Sequence, residues 1–463
     1  MTNVEIDGGS FRDPSGRVFL LQDRVYRTVM LRAAPDFDFV RSTPIWGELL
    51  KQGKVLPEEK VDPTILGEAA KDAVYVLEHP RLPYISYPYE WSFPVLKAAA
   101  LLHLDVHLHA LKGGITLSDA SAYNIQFRGP KPVFIDHLSF RPYLDGEFWI
   151  GHRQFCEQFL NPLLLRSVLG VSHNAWYRGM LEGISVSEIN QLIPWRKKLS
   201  WNILSHVALQ ARFQRSSLEN SKKKQNTVER KLPLAVFRQM LSSLRSWIAK
   251  MEPEDTGKTV WGDYAKSHSY TDQEVAAKKQ FVHDFVQARQ VGKVWDIGCN
   301  TGDYSKVAIE AGAKLVIGFD FDQQALEIAY ARAQSEKLPF LPLFLDAANP
   351  SPNQGWAESE RLGFSSREKP DAIIALAVVH HLAIGRNIPL EEVVDWLVGL
   401  SPSGVIEFVP KNDAMVQELL RLREDIFYDY NEGYFLKSLE SRARVTRAET
   451  VSVSGRRLVC FER

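Results

Sequence analysis

The chain has 463 residues, 45% of them hydrophobic and 24% charged, with 56 basic and 56 acidic side chains. That length exceeds what one typical core organises and predicts two domains, and the composition belongs to neither the low-complexity nor the fibrous classes. Balanced charge removes any global drive toward nucleic acid or a membrane surface, so only a local patch could supply one.

The opening MTNVEIDGGS lacks a basic segment followed by an apolar core and does not read as a secretory signal. The most apolar long run, 93–111, contains Lys97, Asp105 and three histidines, which predicts a buried or amphipathic helix rather than a membrane span. Cys156, Cys299 and Cys460 are far apart, show no metal spacing and read as reduced thiols of a cytoplasmic protein.

Residues 8–31 alternate apolar and polar positions around the turn signals Asp13-Pro-Ser-Gly16 and Gln22-Asp23, predicting a β-hairpin or meander. Residues 45–50 predict part of a helix. The run 83–94, PYISYPYEWSFP, is an aromatic connector suited to packing between lobes or to lining a groove. Beyond the 93–111 helix come Asp119, Asn124 five residues later, and Asp136 after a short hairpin. This spacing, in ITLSDASAYNIQF and PVFID, resembles the catalytic and metal-binding loops of protein-kinase-like and aminoglycoside-phosphotransferase-like folds. The resemblance implies Asp119 as the base that orients an attacking hydroxyl, with Asn124 and Asp136 holding Mg2+ against the phosphates of ATP. Arg27 stands nearest to where those families carry a strand lysine, and its planar fork needs a different geometry. Glu48, on the following helix, is the candidate partner acid.

Residues 151–251 predict several helices, among them 201–213 and 234–249, around a polar and basic loop at 216–230. Glu252-Pro-Glu-Asp-Thr-Gly257 then breaks the helical pattern. The expected organisation is an α+β kinase-like domain over 1–250, possessing or lacking phosphotransfer, followed by a second domain over 251–463. Tyr264 and Tyr270, ahead of a helix at 278–288, are candidate lid residues.

Residues 293–322, KVWDIGCNTGDYSKVAIEAGAKLVIGFDFD, read as strand, glycine turn, helix, strand and acidic stop. The spacing Gly298-x-x-x-Gly302 differs from the G-x-G-x-x-G of dinucleotide sites, and Asp296 sits two residues before the first glycine. A carboxylate there repels a phosphate and favours a cationic ligand without one. The stretch resembles the first motif of class I S-adenosylmethionine methyltransferases, D/E-x-G-x-G-x-G, with Asn300 in place of the middle glycine as a residue tolerant of a left-handed backbone. The resemblance implies an α/β Rossmann-like domain with a mostly parallel seven-stranded sheet and S-adenosyl-L-methionine as cofactor. Asp296 would sit near its amino-acid end, Gly298, Asn300 and Gly302 would form the turn beneath it, Asp320 would take the ribose hydroxyls, and Asp346 would accept from the adenine amino group.

A helix at 323–334 and a strand at 342–345 follow, then an irregular insertion at 349–367. The apolar run 371–379 predicts a central strand delivering His380 and His381 to the cofactor edge, one of them as the group that takes a hydroxyl proton. Strand alternation lets only one face the methyl group, and His380 is favoured because it leaves the strand first. Glu407, ending the next strand, makes a metal site with the two histidines a further option. Runs 443–453 and 457–461 predict a terminal hairpin. The stretches ALAVVHHL, IEFVPKND, YPYEWSF and DASAYNIQF resemble host-specific nodulation methyltransferases. The expectation is O-methylation of a small molecule or glycan by a cytoplasmic enzyme with no membrane partner. RNA methylation with the N-terminal domain as grip, a coupled phosphotransferase, and a binding module with a vestigial pocket stand as alternatives.

Overall fold

A computed structural model describes residues 4–208, 231–254 and 271–463. It divides into two compact units, Met1–Asp255 with Asn353–Leu362, and Thr256–Pro352 with Gly363–Arg463. The expected loop at 216–230 and the candidate lid residues Tyr264 and Tyr270 lie outside the described residues.

The first unit opens on an antiparallel sheet of β1 (Glu5–Ile6), β2 (Val18–Leu21), β3 (Arg24–Met30), β4 (Glu59–Val61) and β5 (Ala73–His79), in the order β1-β2-β3-β5-β4. The β2–β3 hairpin turns at Gln22-Asp23, with Gln22 in the left-handed region at φ 55°, as a two-residue turn requires. Helices Ala34–Ser42 and Pro44–Lys51 fill the β3–β4 connection, and the long helix Phe93–Ala110 is buried on most of its faces. Two small ladders follow: β7 (Ile125–Arg128) with β8 (Lys131–Phe134), and β6 (Ile115–Leu117) with β9 (Phe140–Pro142). Helix Leu234–Ala249 occupies the predicted span.

Residues 251–463 were expected to form one unbroken domain, yet Asn353–Leu362 belongs to the first unit. The reason is local chemistry. Glu360 takes a two-pronged ion pair from Arg12 at 3.0 and 3.2 Å, the Arg361 guanidinium lies 4.2 Å over the Tyr123 ring, and the Leu362 N–H donates to the Tyr87 hydroxyl at 3.0 Å. The aromatic connector and the insertion, puzzling separately, thus account for part of each other.

The second unit is built on β10 (Lys293–Ile297), β11 (Leu315–Asp320), β12 (Phe340–Phe344), β13 (Ala372–Ala375), β14 (Ser403–Phe408), β15 (Arg444–Thr450) and β16 (Arg457–Glu462). Their order is β12-β11-β10-β13-β14-β16-β15; the first five are parallel, and β16 runs antiparallel between β14 and β15. The terminal hairpin is therefore present, with its second strand inserted next to β14. Strand order reverses at β10, between β11 and β13, so the crevice for a ligand opens at the carboxyl end of β10. Near-continuous apolar burial in β10, β11 and β13 is what a sheet covered on both faces demands.

One expected element is shorter than the sequence suggested. The run 371–379 was expected to be strand throughout, but β13 stops at Ala375. Ala377 turns into the left-handed region at φ 54°, its N–H donating to Glu407 Oε2 at 3.0 Å, and a π-helical turn follows at His381–Gly385. A carboxylate at the end of the neighbouring strand captures the backbone before the apolar run is exhausted. No helix among the described residues is long and apolar enough to cross a membrane.

Candidate active site

The turn after β10 is shaped by the protein before any ligand is considered. Gly298 and Gly302 have φ of 78° and 82°, and a Cβ on them would lie 2.6 Å from Val378 and from Phe340 respectively. Asn300 is left-handed as well, at φ 47°, and its Oδ1 accepts the Thr301 N–H at 2.7 Å, which compensates a conformation that few side chains tolerate. Because Val378 belongs to the segment after β13, the turn and that segment are packed together at the sheet edge.

Three acids expected at the site line this same edge. Asp296, buried at the end of β10, accepts the Ser305 hydroxyl at 2.6 Å; burial pushes its carboxyl up to about 7, opposed by that hydrogen bond and reinforced by the charges of Asp320 and Asp303. Asp320, ending β11, accepts the N–H of Asn300 at 2.7 Å and of Asp322 at 2.8 Å, while burial holds it at about 6 despite those donors. Asp346, after β12, accepts the Ala348 N–H at 3.1 Å and lies 3.4 Å from Arg386. Buried carboxylates with too little positive compensation are primed for a cationic ligand.

Sequence reasoning passed over one residue here. Phe321, between Asp320 and Asp322, exposes 52% of its surface at the carboxyl edge, its ring 5.8 Å from Phe344 and 5.7 Å from the Arg386 guanidinium. An exposed aromatic between two acids that end a strand was the available signal. Its free face can stack on a planar base while Asp346 accepts from an amino group. These residues fit a sulfonium nucleoside: acids for its charges, an aromatic face for its base, and a turn whose glycines keep side chains away.

His380 and His381 start the helical turn, so strand alternation does not govern them. His380 is fully buried, its ring centroid 4.0 Å from that of His381, and neither of its nitrogens has a hydrogen-bond partner among the described residues. His381 is partly exposed. Burial depresses both, His381 to about 4 and His380 further, with the neighbouring His381 and Lys278 adding to the latter, so both are neutral at physiological pH. The metal option with Glu407 is not formed: buried Glu407 pairs with buried Lys278 at 2.5 Å.

In the first unit, Arg27, Asp119, Asn124 and Asp136 do come together. Asn124 donates to Asp119 at 2.8 Å, and Arg27 pairs with Asp136 at 2.8 Å. Burial, then the nearby Asp136 charge, lifts Asp119 to about 7. Glu48, the expected partner acid, instead lies 2.7 Å from His109. The buried acid of this region is Glu58, held by Arg41 at 2.7 Å and by His137.

Comparison with known proteins adds to this geometry. A methyltransferase-domain family model matches residues 295–397. Over 456 residues the chain is 47% identical to the nodulation protein NoeA of Rhizobium meliloti (strain 1021), a match spanning 98% of this chain and 95% of that protein. Among solved structures, magnesium protoporphyrin IX methyltransferase (ChlM) from Synechocystis PCC 6803 with bound SAH is similar at 20% identity, covering 44% of this chain and 92% of its own, with a TM-score of 0.32. The N-methyltransferase NodS from Bradyrhizobium japonicum WM9 is similar at 14% identity over 41% of this chain and 97% of its own, with a TM-score of 0.30.

Proposed function

From the premise that the chain belongs to the family of the nodulation protein NoeA and is an S-adenosylmethionine-dependent methyltransferase, we propose that it methylates a hydroxyl of a small molecule or glycan. The cofactor supplies an electrophilic methyl group on a sulfonium. The observation that carries the choice of a hydroxyl is the neutral histidine pair, which follows two residues after Val378, the side chain that closes over Gly298. A neutral imidazole accepts a hydrogen bond from an alcohol and takes its proton as the new C–O bond forms. His381 is the partly exposed member and is assigned to the acceptor; His380 buttresses it from behind. Asp296, Gly298, Asn300, Gly302, Asp320 and Asp346 are assigned to the cofactor, with Phe321 stacked on its base.

The test combines purified protein, isotopically labelled cofactor and cell extract, with mass spectrometry reading which metabolite gains one methyl and on which atom. His381→Ala should lower turnover by about a hundredfold to ten-thousandfold with cofactor affinity nearly intact. A label found on nitrogen or carbon, or on RNA, overturns the reading. So does a folded His381→Ala variant of unchanged rate.

A second reading concerns the first unit, and the convergence of Arg27, Asp119, Asn124 and Asp136 favours it: a kinase-like fold with a nucleotide cleft. Asp119, near neutrality, suits a general base, whereas the Arg27 cation already neutralises Asp136, the carboxylate that Mg2+ would need. Binding without phosphotransfer is the form this chemistry supports. Magnesium-ATP should raise the melting temperature with no turnover; measurable ATP hydrolysis dependent on Asp119 counts for the coupled phosphotransferase instead, and no thermal effect counts against a nucleotide cleft.

A further inference from the structure

The first unit contains a cluster that neither methyl transfer nor a nucleotide cleft uses. Helix His152–Phe155 runs directly into a π-helical turn at Cys156–Leu160, and a second π-helical turn, Leu204–Ala208, carries His206. Such turns are uncommon and concentrate where side chains must be re-aimed for function. His152 and Cys156, four residues apart, project from one face. His152 Nε2 lies 3.1 Å from His206 Nδ1 and 3.7 Å from Cys156 Sγ, and the three atoms fall within 4.8 Å of one another.

These separations can be set against a metal's requirements. Zinc bonded tetrahedrally to nitrogen at about 2.05 Å and to sulfur at about 2.3 Å puts two nitrogens about 3.3 Å apart, and a nitrogen and sulfur about 3.6 Å apart. Both observed edges match within about 0.3 Å, and the third, from His206 to Cys156, is no longer than 4.8 Å. The surroundings hold the rings in place: Trp149 packs edge-on against His152, its centroid 5.3 Å away, and Trp247 stacks on His206 at 6.1 Å. Cys156 and His206 are buried and His152 is half-buried, so a bound ion would be shielded from bulk solvent on most sides. Trp247 also lines an open groove of about 400 Å³ with Asn202, Gln239, Ser246 and Lys250.

We propose that His152, Cys156 and His206 form a zinc site, with a fourth position taken by water. One soft sulfur and two imidazoles, with no carboxylate, select zinc over magnesium or calcium. On binding, the Cys156 S–H bond breaks, its proton passes to solvent, and the thiolate bonds the metal, leaving one net positive charge. The metal would join the 201–208 segment to the 152–160 helix. The sequence concealed the site because His206 lies 50 residues beyond Cys156, so no short spacing holds all three ligands.

The test uses the full-length, tag-free protein stripped by a chelator and titrated with cobalt(II), then zinc. One equivalent should bind, with a thiolate-to-cobalt charge-transfer band and the visible absorption of a four-coordinate ion, both lost on zinc addition; zinc should release one proton and raise the melting temperature. Cys156→Ser should abolish the charge-transfer band, and His206→Gln should weaken zinc binding by about tenfold to a hundredfold or more. His109→Gln, away from the cluster, should change nothing. Circular dichroism and S-adenosylmethionine calorimetry report whether the variants are folded. Should they not fold, the wild-type proton release and charge-transfer band decide alone. A hydrogen-bonded histidine pair beside a buried thiol, with no metal function, predicts no stoichiometric cobalt binding and no such band, and that result overturns the proposal.

Discussion

Replacing Asp320 by alanine tests the cofactor site most directly, because the structure separates two things the carboxylate does. Two of its lone-pair positions are committed to the N–H groups of Asn300 and Asp322, at 2.7 and 2.8 Å, which fixes the glycine turn; the rest are left for ribose hydroxyls. Losing a charge-assisted hydrogen bond to the ribose costs about 1.5–3 kcal/mol, a fall in affinity of about tenfold to 150-fold. Losing the two backbone acceptors costs the free protein about 0.5–1.5 kcal/mol each, reduced where water reaches the exposed N–H groups. Calorimetry with S-adenosylmethionine gives the first quantity, and thermal melting of the free protein the second. Asp320→Asn retains one acceptor and loses the charge, so its affinity should fall between the two. A folded Asp320→Ala variant that binds the cofactor as tightly as wild type refutes the assignment, and one that loses stability alone reduces Asp320 to a support for the turn.

Cofactor affinity should rise with pH up to about 7 and then level off: Asp296 and Asp320, held at about 7 and about 6, must be charged to meet a cationic ligand, so binding releases protons. Calorimetry in two buffers of different ionisation heat reads that release, and identical heats would count against it. Stability should fall as pH drops from about 6.5 toward 4, since His79, His103 and His173 have folded pKa values of about 3 or 4, leaving the unfolded chain to bind the protons. Each contributes up to about 1.4 kcal/mol per pH unit in that window, partly offset by Asp296 and Asp320, which act in the opposite sense; urea melts at several pH values giving a flat profile would contradict this. The methyl-transfer rate should be flat through neutral pH, because His381 already lacks its proton there, and a rise centred near 6.5 would place the base on an unperturbed group.

Where sequence reasoning succeeded, the local pattern and the global fold agreed. Residues 293–322 spell strand, turn, helix and strand within one short unit, and no distant contact competes with that pattern. Asn300 was legible as a left-handed residue because few side chains tolerate that conformation. It failed where a distant carboxylate intervened. Nothing in DAIIALAVVHH signals that Glu407 will take the Ala377 N–H and end the strand four residues early, and that one hydrogen bond replaces the expected opposition of two strand histidines with a pair of closely packed, mutually tilted rings in a helical turn.

The N-terminal half makes the same point with charge. The spacing of Asp119, Asn124 and Asp136 led to the expectation of one site, and in the structure Asn124 donates to Asp119 while a tight hairpin separates Asn124 from Asp136. What the spacing could not carry was the partner of each acid. Arg27 was noted only as an imperfect lysine, yet its guanidinium pairs through one nitrogen with Asp136, while the acid expected to serve it, Glu48, is taken up by His109. Partner choice depends on which side chains share a low-dielectric neighbourhood, which spacing along the sequence does not record. An aspartate already paired to a permanent cation gains little from a magnesium ion, so the substitution at position 27 argues that this cleft, if it holds a nucleotide, holds it without the metal arrangement that phosphoryl transfer requires.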